Sequence, residues 1–414
     1  MRVVVLGAGV VGLSCAYMLA RDGHSVTVLE GEAGAGMATS RANGGQLSYS
    51  YVAPFAGPGV VQKVPGWLLD RDGPLRFRPD FTTAQIRWLI GFLLACNART
   101  AAHSTAALLR LAMLSRDALH EMVAREALDF AFARSGKLVV HSDIASFEGA
   151  KRQMAAQATM GSEQHALTAA ECLALEPALS HIAHRLVGGI HTPGEDAGDC
   201  HLFCVGLEQL LRGSNFDVRF HFNTRVTQLL TAGGRVVGAA TREGVHEADA
   251  FVLALGNGAR ALASPIGVDV PIQPLKGYSL TLPITGPAPA VSITDAAAKV
   301  VYARLGNSLR VAGMADVVGQ DSRFDNRRLD TLLRQARAAF PDATHWRDLQ
   351  PWTGLRPATP TGLPLLGPTS RWPNLHLNLG QGSLGFTLAM GSAAVIAEII
   401  AGRPAPILMD GLSA

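Results

Sequence analysis

Hydrophobic and polar positions follow two rhythms along this chain, and the switches between them predict its elements. Arg2–Leu6 (RVVVL) is an unbroken β-branched run, the pattern of a strand buried on both faces of a parallel sheet. A helical period follows at once through Leu13, Ala16, Tyr17 and Ala20, and Asp22-Gly23 supplies a C-terminal cap. Ser25–Leu29 (SVTVL) predicts a second strand, which Glu30 ends. Ala250–Leu255 (AFVLAL) reads as a further strand running into Gly256. Near the other terminus a glycine-rich turn, Asn378–Thr387, precedes an apolar helix expected from about Leu388 to Ile400. Arg2 and the apolar run behind it imitate a signal peptide, but glycines punctuate the run and no cleavage site follows, so strand, turn and helix are expected instead. The longest candidate span, Trp88–Cys96 (WLIGFLLAC), falls short of the roughly 20 apolar residues that cross a bilayer, and no span is expected.

Composition adds bounds. The 414 residues allow two or three domains at roughly 100–200 residues each. With 48% apolar and 17% charged residues the chain can bury a large core and does not read as disordered. Thirty-six basic against 33 acidic residues leave a net charge of +3, with no concentrated basic face, so no nucleic-acid partner is expected. The five cysteines (Cys15, Cys96, Cys172, Cys200, Cys204) are too sparse for a disulfide framework, which points to a reducing, cytoplasmic compartment. Cys200, His201 and Cys204 lack a second ligand pair, so buried thiols on a helix are expected there rather than a metal.

Chemistry enters with Gly7-Ala8-Gly9-Val10-Val11-Gly12, a GxGxxG set between a strand and a helix. Gly7 permits the tight turn, Gly9 leaves room for a pyrophosphate, and Gly12 lets the helix approach the strand. The helix start at Val10 and Val11 offers N–H groups and a positive dipole end to phosphates. Glu30, about 20 residues beyond the glycines, suits the ribose hydroxyls and would repel the 2′-phosphate of NADP. This motif does not separate FAD from NAD, but two other segments do. One is the small, polar stretch from Gly34 to Gln46, with Ser40, Asn43, Gly44, Gly45 and Gln46 as candidate contacts. The other is the late turn, with Gly380, Gly382, Ser383, Leu384, Gly385 and Thr387. A helix start there suits the flavin N1/C2=O edge, which becomes anionic on reduction. Gly256 and Val226 complete the expected contacts, and the set favours FAD. No cysteine lies in the late glycine segments, so non-covalent binding is expected.

Further segments stand in order along the chain: TSRANGGQLSYSYVAPFAGPGV from Thr39, GDCHLFC from Gly198, PLKGYSLTLP from Pro274, RVAGMAD from Arg310, WTGLRPATPTGLPLLG from Trp352 and NLHLNLGQGSLGFTLAMGS from Asn374. With the first thirty residues they resemble the D-amino-acid dehydrogenase small-subunit family, within the FAD-dependent amino-acid oxidoreductases that include D-amino-acid oxidase and glycine oxidase. The resemblance implies an α/β fold: a discontinuous Rossmann-like FAD-binding domain (residues 1–80, 196–268 and 350–414) and an α+β substrate domain on a mixed sheet (81–195 and 269–349). It implies oxidative deamination of a D-amino acid, with hydride passing from Cα to the flavin and water releasing a 2-oxo acid and ammonia. Electrons would then go to a quinone or another respiratory acceptor. A D-hydroxyproline or D-proline substrate, an oxygen-using oxidase, and an electron-transfer subunit with no substrate of its own stand as alternatives. Gln381, where the family often has His, and Thr361, where Asp is common, depart from the pattern without touching FAD binding.

The resemblance also implies that Arg356 forks onto the substrate carboxylate, a task that suits a planar, permanently charged guanidinium. Gly354 and Pro357 place it in what reads as a stiff loop. Tyr278 and Tyr302 are second candidates for the carboxylate or the pocket wall. Lys276, Arg304 and Arg310 each admit a pocket-facing or a solvent-facing reading, and no general base is evident. Between Val60 and Cys96, Trp67, Phe77, Phe81, Trp88 and Phe92 alternate with Lys63, Arg71, Arg76, Arg78 and Arg87. Docking on the anionic cytoplasmic face of a membrane and a substrate-domain core are both open readings.

Overall fold

The computed structural model describes residues 1–69, 73, 75–213 and 216–414, without the side chains of Lys63, Trp67, Leu68 and Leu69. In the segment open to a membrane-docking reading, the side chains of Lys63 and Trp67 and the whole of Arg71 therefore lie outside what the structure describes. Arg2–Leu6 forms the strand its pattern predicts, with parallel neighbours Ser25–Leu29 and Ala250–Leu253. The six-stranded sheet runs Leu365–Pro368, Leu375–Leu379, Ala250–Leu253, Arg2–Leu6, Ser25–Leu29, Val218–His221, with only the first pair antiparallel. Both faces are covered, which is why the strands read as continuous apolar runs. Val3 and Val5 pack against helices Val10–Arg21, Ala98–Arg125 and Gly385–Ile400, while Val4 and Leu6 face a core shared with Leu229, Val236 and Leu262.

Against expectation, one segment among the described residues is long and apolar enough to cross a membrane: Gly382–Ile400, with mean hydropathy 1.7. However, 67% of it is buried, and its helix packs between Val10–Arg21 and Ala98–Arg125, so its apolarity serves the core.

A second, mixed sheet of nine strands runs Gln350–Ala358, Gln273–Pro283, Ser308–Val317, Val300–Leu305, Ser292–Asp295, Lys137–His141, Gly188–Thr192, His165–Thr168, with Leu75–Phe77 beside Ser308–Val317. One face is packed by helix Asn326–Ala339 through Leu332 and Ala336. Three segments fall on the other side of the expected division, the first being Leu75–Phe77, which lies in the second sheet. Gln350–Ala358 pairs along its whole length with Gln273–Pro283, in the second sheet. Helix Ala98–Arg125 buries Leu108, Leu111, Leu119 and Met122 in the core of the first. Nothing in local composition marks the latter two crossings, because the packing partners lie far away in sequence. Arg356 consequently sits on a strand rather than in a loop. This is an edge strand, where Pro351 and Pro357 are tolerated because a missing N–H can face away from the sheet.

Candidate active site

The turn after the first strand opens the site. Gly7 has φ +110°, a conformation side chains rarely adopt, and a Cβ at Gly12 would lie 2.0 Å from the Gly7 carbonyl oxygen. Gly12 thus sits beneath the turn rather than on the cavity wall, letting the helix press against the strand. The Val10 N–H donates to Ser40 Oγ (3.1 Å), which ties the Gly34–Gln46 loop to the helix start. Glu30 accepts from the N–H groups of Ala8 (2.7 Å) and Glu32 (2.9 Å), which fixes its carboxylate at the end of the second strand.

These elements border a cavity of about 1130 Å3, above the roughly 300–1000 Å3 usual for a small-ligand pocket. Its wall includes Gly7, Gly9, Val10, Val11 and Glu30 at one end. Ser40, Asn43, Gly44, Gly45, Gln46, Val226 and Gly256 follow along its length. Gly380, Gly382, Ser383, Leu384, Gly385 and Thr387 lie at the start of helix Gly385–Ile400. A long flat dinucleotide fits this outline. Side chains at Gly382 or Gly385 would meet no protein atom within 4 Å, so the space there is open to a ligand. Asn257 Oδ1, buried at the wall, has no hydrogen-bond partner of its own, as expected of a group awaiting one. Two helix starts, at Val10 and at Gly385, direct positive dipole ends into the space.

The second sheet closes the other end. Arg356 Nη1 donates to the Met314 carbonyl (2.9 Å). Burial pushes its guanidinium below the usual arginine range, and the charge of Asp316 opposes that. Met314 has φ +65° at a break in the register between Gln273–Pro283 and Ser308–Val317, so a bulge aims its carbonyl at the arginine. Across the pair, a Cβ on Gly277 would lie 2.3 Å from Arg356 Nη2, so only glycine leaves room for the guanidinium. The Leu355 carbonyl accepts from Thr39 Oγ1 (2.9 Å) and Asn257 Nδ2 (2.7 Å), which registers the arginine strand on two loops of the first sheet. Phe55, Trp88 and Phe92 form an aromatic wall, with the Phe92 ring centroid 5.6 Å from that of Phe55 and 5.2 Å from that of Trp88, and Trp88 Nε1 donates to the Ala358 carbonyl (2.8 Å).

Tyr302 is not at the site. On its strand Val301 lines the cavity, so by two-residue alternation Tyr302 points to the opposite face, edge-on to Phe340 (4.8 Å) in the second core. Tyr278 borders the cavity, but its hydroxyl donates to Asp316 Oδ2 (3.2 Å), to which Arg328 Nε also donates (3.2 Å). Lys276 is buried with its amine on the Arg323 carbonyl, and Arg304 is exposed. Arg310 is neither solvent-facing nor on the wall: it is buried and donates to Thr281 Oγ1 (2.7 Å), the Asn43 carbonyl (2.6 Å) and Asp199 Oδ2 (3.0 Å). It thereby braces the glycine loop from behind. Cys200 and Cys204 are buried on helix Cys200–Gly213. Sequence reasoning missed Gly277, Met314, Asn257, Ser48, Tyr51 and Lys137, all on the wall. Of these only Gly277, a glycine inside a strand run, carried a signal of close approach.

A strand–turn–helix cradle at one end and a half-buried arginine at the other define a dinucleotide-dependent oxidoreductase. The chain belongs to the FAD dependent oxidoreductase family, whose model matches residues 2–399, and FAD is its cofactor. It is 50% identical to a protein of Ralstonia nicotianae named D-amino acid dehydrogenase 2, over 97% of each chain. It is 49% identical to one of the same name from Pseudomonas aeruginosa, covering 99% of this chain and 97% of that one. Among solved structures, glycine oxidase from Geobacillus kaustophilus superposes with TM-score 0.77 at 20% identity, covering 100% of this chain and 98% of that one. L-proline dehydrogenase from P. horikoshii does so with TM-score 0.77 at 17% identity, over 100% and 99%. These two likenesses speak to the fold alone.

Proposed function

We propose that this enzyme oxidises D-amino acids to imino acids, which water converts to 2-oxo acids and ammonia, and passes the electrons to a respiratory quinone rather than to oxygen. The observation that carries the reading is the half-buried Arg356, held by the Met314 carbonyl on the wall of the cavity that the glycine turns border. Full-length relatives named D-amino acid dehydrogenase support the substrate class. FAD, when bound, supplies the acceptor for the Cα hydride. It is held without a covalent bond, by Gly7 to Val11, Glu30, the Ser40–Gln46 loop and the Gly380–Thr387 turn.

Arg356 forks onto the carboxylate and fixes which Cα substituent faces the cofactor. The wall of Phe55, Trp88, Phe92 and Met314 receives an apolar side chain and excludes water, which favours the neutral amine. Anaerobic addition of D- and L-amino acid panels tests the reading: D-residues bleach the flavin absorbance, and bleaching by L-residues alone refutes it. Turnover releasing stoichiometric hydrogen peroxide would replace the quinone with oxygen.

The quinone lies in a membrane, and one face of helix Thr83–Ala95 suits that location. Ile86, Ile90, Leu93 and Leu94 are exposed along it, with Phe81, Arg78 and Arg87 also exposed nearby. Trp88 and Phe92 face inward instead. Sedimentation with anionic vesicles is expected for the wild type and lost in Ile90→Ser/Leu94→Ser; equal sedimentation rules this contact out.

A further inference from the structure

Taking hydride from Cα requires a neutral amine, and an amino acid arrives as an ammonium ion. Its proton needs an acceptor. Among the described residues on the cavity wall there is no histidine, aspartate or cysteine. The carboxylates there are Glu30 and Glu32, and Glu30 is held by main-chain N–H groups at the glycine-motif end. Arg225 and Arg356 carry guanidinium groups, which have no acceptor atom, Lys299 is exposed, and the Tyr278 hydroxyl is given to Asp316.

Lys137 is different. It is 3% exposed, yet it lines the cavity. Its Nζ donates to Ser48 Oγ (2.7 Å) and lies 4.4 Å from the centre of the Tyr51 ring. Ser48 and Tyr51 are themselves on the wall, and the Ser48 N–H donates to Thr387 Oγ1 (3.0 Å), at the start of the C-terminal helix. Behind them lies Glu195, 1% exposed. Its Oε1 accepts from the Ser50 N–H (2.6 Å), while Oε2 is buried without a partner.

Burial pushes Glu195 up to about 7, against the pull of Lys137, Ser50 and Ser48. Burial likewise pushes Lys137 down to about 8, against the pull of Glu195. Other ionisable groups approach from every side. Tyr49 and His120 hold Asp196 Oδ2 at 2.9 and 2.6 Å, and Arg116 lies on the helix of His120. His191 on the neighbouring strand sits beside Gly136.

We propose that the Lys137–Ser48–Glu195 cluster takes the proton that the substrate ammonium gives up. The inference rests on the amino-acid reading above. Lys137 first hands one of its protons to Ser48 Oγ as the serine proton moves to the free oxygen of Glu195. The substrate N–H bond then breaks as the neutral Lys137 Nζ takes that proton on its lone pair. Nothing is oxidised or reduced: the substrate nitrogen keeps its electron pair as the free amine, and the cluster gains one positive charge. Until then, the charge on Lys137 disfavours the ammonium form of the substrate.

The test is anaerobic stopped-flow reduction of the FAD-loaded enzyme, using the D-amino acid that reduces it fastest, from about pH 6 to about pH 10. In the wild type the second-order rate is expected to rise with pH through the range of Glu195. In Glu195→Gln that rise moves up to the range of the substrate ammonium itself. Reduction near neutral pH falls about 100-fold, and the two enzymes converge at the alkaline end. Lys137→Met shifts the profile the same way. Benzoate, a carboxylate with no amine, perturbs the flavin spectrum equally in all three proteins. Profiles that keep the wild-type shape, or that drop by one factor at every pH, overturn the proposal. If one variant loses benzoate binding, the other carries the comparison. A wild type that no D-amino acid reduces refutes the functional reading instead.

Discussion

The two ends of the cavity are built from different material. At the nucleotide end the wall is main chain: a glycine turn, two helix starts and one carboxylate fixed by its own backbone neighbours. At the substrate end it is side chains from separate segments: Tyr51, Lys137, Trp88 and Arg356, with Gly277 and Met314 shaping the space around the arginine. A main-chain cradle depends on the absence of atoms, so it fails by being filled, and the fold fails with it. A side-chain site depends on charges placed by a sheet that stands without them, so it fails in chemistry while the protein stays folded and yellow.

The largest effect expected from this contrast is at Gly12. A methyl group there would meet the Gly7 carbonyl oxygen at 2.0 Å, a backbone atom that cannot swing aside. Gly12→Ala is expected to yield protein that retains no FAD and unfolds at a markedly lower urea concentration. A variant as yellow and as stable as the wild type would break the comparison at its first term. Gly277→Ala comes next. Its methyl would lie 2.3 Å from Arg356 Nη2, the far end of a flexible side chain, so the guanidinium moves and the sheet holds. FAD stays bound, while the second-order rate of flavin reduction by a D-amino acid falls about 100-fold. Arg356→Ala sets the limit for this end at about 1000-fold, the cost of losing a half-buried charged partner of the carboxylate. Retained FAD with unchanged reduction in Gly277→Ala would mean that the arginine does not need its present seat.

The same contrast explains what could be read from the sequence. Arg2 to Glu30 is contiguous, so its strand, glycine turn, helix, cap and second strand all stand in one stretch of letters. Arg356 came into view through family resemblance, and its setting was misjudged because glycine and proline flanks suit an edge strand as well as a loop. Tyr302 failed for another reason. Alternation along a strand states that two faces exist, not which one looks onto the cavity, and Val301 holds that face. Lys137 precedes an ordinary apolar run, and nothing nearby in the sequence tells that Ser48 and Glu195 will enclose it. The domain limits around Gln350–Ala358 and Ala98–Arg125 were hidden likewise, since both depend on partners distant in sequence.

The smallest effects concern the two tyrosines, and they sharpen the comparison by asking how far the substrate end extends. The Tyr278 hydroxyl donates to Asp316 Oδ2, and Arg328 donates to both oxygens of the same carboxylate. Tyr278→Phe therefore removes one of several bonds to a buried acid and is expected to cost about 1 kcal/mol of stability. Because the charge of Asp316 also reaches Arg356, its effect on turnover should appear as a few-fold rise in KM with kcat unchanged. Tyr302→Phe keeps the edge-on contact with Phe340 and lies on the face turned away from the cavity, so neither KM nor kcat should move. A 100-fold loss of kcat in either variant, with FAD still bound, would extend the catalytic surface through the sheet to its far side. The boundary drawn here by strand alternation would then be in the wrong place.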